Sequence, residues 1–104
     1  MPRKEDRLPF LHEVELEFAS GKRIARISDI SPGGCYIDTI SQVPVGEPLT
    51  LYITANGAGS AEITGRVAYY LESFGFGVEF ENVSEEQREF LDKLIAIANA
   101  PTTD

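Results

Sequence analysis

Residues 12–18, HEVELEF, alternate without a break: Val14, Leu16 and Phe18 fall on one side and Glu13, Glu15 and Glu17 on the other. A period of two belongs to a strand with one face buried and one in water, and a helix cannot satisfy it. Such a strand needs neighbours, and the chain supplies them between turn signals. ASG turns into KRIARISDI, which predicts a hairpin, and SPGG turns into CYIDT. After the PVGEP loop come LTLYITA, the NGAGS connection, AEITGRVAYYL, the ESFG turn and FGVEF. Six short strands at roughly ten-residue spacing predict an antiparallel sandwich or barrel.

The period changes after Val83. In SEEQREFLDKLIAIANAP, Ser84 and Gln87 have capping-box spacing, Glu85 and Glu86 sit where a helix dipole favours negative charge, and Pro101 bars continuation. Phe90, Leu91, Leu94, Ile95 and Ala98 form one apolar stripe, expected to dock across the open side or one end of the barrel. At 104 residues the chain has room for one core. The expected division is a flexible N-terminal arm at 1–11, a barrel with its helix at 12–98 and a disordered tail at 99–104.

Charge and special residues narrow the function classes. A formal charge of -8 argues against DNA or RNA as a general partner. That charge is uneven: residues 1–34 hold six basic and six acidic side chains, while residues 35–104 hold three and eleven, so an anion is expected at the first third. No apolar run approaches a membrane span and no leader opens the chain, which predicts a cytoplasmic protein without membrane insertion. One cysteine, Cys35, and one histidine, His12, make neither a disulfide nor a metal cluster. They also lack the base-and-nucleophile arrangement of a hydrolase, so no enzyme activity, metal or cofactor is expected.

Two short stretches stand out against this background. Arg3 and Arg7 are four positions apart ahead of the first strand, and Asp29, Ser31, Gly33 and Gly34 lie in DISPGG after the second. Taken alone, the arginines read as solvated tail charges, and Asp29 and Ser31 as turn formers bonded to their own backbone. Together, Arg3-x-x-x-Arg7, Asp29-x-Ser31-x-x-Gly34 and the closing FGFGVEF before a helix resemble the PilZ domain, a family of bacterial cyclic di-GMP receptors. The resemblance runs from residue 3 to about residue 98, in the family's order.

It implies an all-β fold with a C-terminal helix, a six-stranded antiparallel β-barrel of the PilZ type. It also implies a receptor for cyclic di-GMP, with an N-terminal arm that folds over the ligand. The chemistry of the residues agrees. Each guanine offers O6 and N7 to a planar guanidinium fork, which suits Arg3 and Arg7. An ionised Asp29 accepts from guanine N1 and N2, Ser31 can donate to phosphate, and Gly33 and Gly34 allow backbone N–H groups to approach. Lys4 and Arg66 are weaker ligand candidates. Members that bind two stacked ligands often carry another arginine before the motif; Pro2 stands there, which favours one molecule. The resemblance further implies an unidentified protein partner and a monomer or weak homodimer. An adaptor of the same fold without a nucleotide is the alternative.

Overall fold

The computed structural model describes residues 8–98. Six strands, β1 (Leu8–Phe18), β2 (Gly21–Ser31), β3 (Gly34–Asp38), β4 (Pro48–Ala55), β5 (Gly59–Leu71) and β6 (Gly75–Phe80), precede one helix, α1 (Glu85–Ala98). The strands close into an antiparallel barrel in the order β1-β2-β3-β6-β5-β4, as the turn spacing predicted. Closure comes from β1, which pairs with β2 along its length and with β4 through Glu15–Tyr52, Leu16–Leu51 and Glu17–Thr50. Each described strand thus has a neighbour on both sides, the β1–β4 seam being the shortest at three residue pairs.

The alternation that predicted the strands also fills the interior. Val14, Leu16 and Phe18 from β1, Leu49, Leu51 and Ile53 from β4, and Ile63 and Val67 from β5 are all buried in one cluster. Cys35 is fully enclosed on β3 and packs there as a small hydrophobe. The helix begins with the expected reciprocal cap. The Ser84 amide donates to Gln87 Oε1 at 2.8 Å and the Gln87 amide donates to Ser84 Oγ at 3.1 Å. Its stripe divides in two: Phe90, Leu91 and Leu94 enter the core cluster, while Ile95 and Ala98 pack on it half-buried. A closed barrel has no open side, so α1 docks on β5 and β1, with Ile97 against the β4–β5 turn at Gly57.

One boundary differs from the sequence expectation. β1 starts at Leu8, so residues 8–11 of the arm expected at 1–11 are strand. The cause is a register shift between Pro9 and His12, which breaks the period of two on which the strand start was read. The rest of that arm and the tail from residue 99 lie outside the described residues. Among the described residues no helix is long and apolar enough to cross a membrane.

Candidate functional site

The β2–β3 corner gathers four of the sequence-predicted residues. Only Pro32 and Gly33 separate the strands, and Ser31 faces Gly34 across the turn. Ser31 is buried, and its hydroxyl donates to the Gly34 carbonyl oxygen at 3.3 Å. The Gly33 carbonyl accepts the Phe80 amide at 2.9 Å, which fastens the corner to the end of β6. Gly34 has a packing reason of its own. A β-carbon there would overlap the Val78 carbonyl oxygen and sit 3.2 Å from the Val78 carbonyl carbon, so β3 and β6 approach this closely only around a glycine.

Asp29 is placed on the side of the sheet away from the core by a second irregularity, and stays half-buried there. In the β2–β3 ladder the register shifts between Ile27 and Asp29, so Ile27 and Ile30 are both buried although they are three apart. The extra residue turns Asp29 outward at a place where uninterrupted alternation would misassign it. Bulges of this kind re-aim one side chain without disturbing the strands on either side.

Register then extends a row outward from Asp29. Pro9 on β1 faces Asp29, Asp29 faces Tyr36 on β3, Tyr36 faces Gly77 on β6, and Gly77 faces Tyr69 on β5. The Tyr36 and Tyr69 rings lie 6.1 Å apart at 31°. They close over Gly77, where an added β-carbon would overlap the Tyr69 ring and come 2.9 Å from its hydroxyl oxygen. Burial, then the neighbouring Tyr69, Asp38 and Asp29, hold the Tyr36 phenol above its ordinary pKa. In the adjacent row Arg26 faces Asp38, with Nε 3.9 Å from Oδ2 and both side chains largely in water. An ion pair this exposed yields readily to a better anion.

The remaining predicted residues fall elsewhere. Arg3, Lys4 and Arg7 lie outside the described residues. The strand that follows them does not: Leu8, next after Arg7, pairs with Ile30, between Asp29 and Ser31. Arg66 on β5 is occupied structurally, donating from Nε to Glu81 Oε2 at 3.0 Å and from Nη1 to the Gly46 carbonyl at 2.8 Å. Tyr36 and Tyr69 form a wall along the row that starts at Asp29. The available signal was Gly77 in the middle of a strand, because a glycine there marks a place that something else must cover.

The corner thus combines a half-buried carboxylate, whose Oδ1 is enclosed, with two phenol rims and one weakly engaged guanidinium. It suits a planar polar ligand with hydrogens to donate to Asp29. Cations for an anionic group must come largely from beyond the strands.

Comparison with known proteins gives one family. The family model for the PilZ domain matches residues 2–96. No curated protein matches the chain significantly. Among solved structures, the PilZ domain of YcgR from Escherichia coli, determined with c-di-GMP, superposes with a TM-score of 0.77 at 15% identity, covering 94% of this chain and 92% of that one. The inhibitor of motility MotI of Bacillus subtilis gives 0.72 at 18% identity, covering 93% of this chain and 51% of that one. The Borreliella burgdorferi PlzA protein in complex with c-di-GMP gives 0.68 at 16%, covering 89% and 40%. At such identities the superpositions establish the shared barrel and helix, and the family match covers nearly the whole sequence. The chain belongs to the PilZ domain family.

Proposed function

We propose that this domain is a receptor for cyclic di-GMP that binds the messenger on the outer surface of the β2–β3 corner. The observation that carries this reading is the pairing of Leu8 with Ile30 and of Pro9 with Asp29. The chain leaves Arg7 and enters the sheet beside the aspartate, so an arginine arm and the carboxylate corner belong to one neighbourhood.

In this reading Arg3 and Arg7 close over the ligand and take guanine O6 and N7 or phosphate oxygens, with Lys4 adding positive charge. Asp29 accepts from guanine N1 and N2, the edge that adenine lacks. Ser31, Gly33 and Gly34 form the rigid floor, and the Tyr36–Tyr69 wall flanks the base. Arg26 can leave Asp38 for a phosphate, and Arg66 serves as a structural clasp with at most a remote effect. One ligand molecule fills the site, since Pro2 supplies no third guanidinium. Binding without turnover follows from the absence of a role for any base or nucleophile in this scheme, and the signal is the ordered arm itself.

Titration calorimetry of the protein with cyclic di-GMP, cyclic di-AMP and buffer tests the proposal. Saturable heat with cyclic di-GMP at one ligand per chain, and at least tenfold weaker binding by Arg7→Ala, is expected. Absence of heat with the unaltered protein, or equal affinity for the adenine dinucleotide, overturns it.

A further inference from the structure

The far end of the barrel carries an apolar surface that binding of a nucleotide at the β2–β3 corner does not use. The β5–β6 turn and the segment that crosses from β3 to β4 meet there: the Thr39 amide donates to the Phe74 carbonyl at 3.2 Å, and the Gly46 amide donates to the Val67 carbonyl at 2.7 Å. The first bond brings the residue before Ile40 against Phe74, and the second brings the residue after Val45 against β5. Ile40 is 85% exposed, Phe74 72%, Val45 63% and Leu71 49%. Val43 of the same segment is buried, so the crossing is anchored in the core and displays its other apolar side chains outward. Isolated exposed apolar residues are ordinary, but four on two mutually bonded segments form a surface that water disfavours.

The charges around it select the occupant. Asp38, Glu47 and Glu72 flank these two segments in the chain, and of the guanidinium groups nearby Arg26 is held loosely by Asp38 and Arg66 closely by Glu81. Glu47 and Glu72 have no ion pair among the described residues. A second copy docked through the same patch would bring these carboxylates toward their own counterparts, and an anionic bilayer would be repelled in the same way. We infer that this surface docks a segment of a partner protein that presents apolar side chains flanked by lysine or arginine. Ile40 and Phe74 are the anchors, and Glu47 and Glu72 set the sign of the partner's charge. The inference does not depend on the nucleotide reading.

The test uses the full chain and two fluorescein-labelled helical peptides of identical leucine pattern, one with lysine and the other with glutamate at every polar position. Fluorescence anisotropy should show saturable binding of the lysine peptide only. Ile40→Ser with Phe74→Ser should weaken it at least tenfold, and Glu47→Lys with Glu72→Lys should reverse the preference toward the glutamate peptide. Ile40, Phe74 and Glu72 are exposed and Glu47 is half-buried, and a thermal melt verifies that each variant keeps the fold. A matched double replacement on the acidic β1 face, Glu13→Ser with Glu15→Ser, should leave binding within twofold. Equal binding of both peptides, loss through the β1 replacements instead, or self-association in sedimentation that Ile40→Ser and Phe74→Ser abolish would each overturn the inference.

Discussion

Gly34 is the position where a motif glycine can be assigned to packing or to ligand approach, and the two assignments predict different things for Gly34→Ala. The added methyl meets backbone on every side: the Val78 carbonyl oxygen in overlap, the Val78 carbonyl carbon at 3.2 Å and the Glu79 Cα at 3.5 Å. No side-chain rotation relieves that. To regain ordinary contact β3 and β6 must part by on the order of 1 Å, yet β3 is only five residues long and is paired on both edges. Overpacking of this kind costs about 1–3 kcal/mol. A loosened ladder bond adds about 1 kcal/mol, and the stiffer unfolded chain returns about 0.4–1 kcal/mol. The net loss is about 1–4 kcal/mol, which lowers the melting temperature of a domain this size by roughly 5–30 °C. Calorimetric melting of the ligand-free protein measures it. Gly46→Ala is the control: a β-carbon there has open space, so only its backbone angle of +91° is penalised, at about 1–2 kcal/mol. If Gly34→Ala melts with the parent and loses only nucleotide binding, the packing assignment is wrong and the glycine serves ligand approach.

Other consequences are as direct. Asp29→Asn removes the charged acceptor while keeping the shape, so cyclic di-GMP affinity should fall by roughly 10–100-fold, the worth of a charge-assisted bond pair, with little change in melting temperature; calorimetry separates the two. Tyr69→Ala uncovers Gly77 and removes one wall of the site, and should weaken binding roughly tenfold, at the low end of base stacking on an aromatic ring, in the same titration. The hydrogen bond from Tyr52 to Glu17 pushes the Tyr52 pKa up from 10.0 to about 12. Because the folded value lies above the unfolded one, its stabilisation is complete below pH 10 and is lost as pH rises through about 12; ultraviolet titration should show a late phenol that Glu17→Gln moves to lower pH. Ser84→Ala removes the helix cap and should cost about 1 kcal/mol in urea unfolding.

Much of the architecture was written in local chemistry. The alternation of Val14, Leu16 and Phe18, the two-residue turn at Pro32 and Gly33 and the Ser84–Gln87 cap each depend on neighbours a few positions away, and each appears in the structure as the spacing predicted. What stayed hidden depends on register between distant segments. The start of β1 at Leu8 lies beyond the alternating run, because the shift between Pro9 and His12 interrupts the period of two. The outward turn of Asp29 depends on the bulge before it, and the wall of Tyr36 and Tyr69 exists only because β6 brings Gly77 between them. Arg66 illustrates the converse, since a lone arginine on a strand gives no hint that Glu81 and the Gly46 carbonyl hold it. For the corner itself, the sequence supplied the residues and the resemblance supplied their meaning.

The central claim is that the arginine arm and the Asp29–Gly34 corner bind one cyclic dinucleotide between them. Amide spectra of isotope-labelled protein titrated with cyclic di-GMP test it most directly. A saturating set of shifts is expected at residues 3–9, 29–34, 36 and 69, with the arm signals broadening or moving together with those of the corner and none of this in Arg7→Ala. Unchanged spectra at high ligand concentration, or shifts confined to another face such as the groove between β5 and α1, would contradict it.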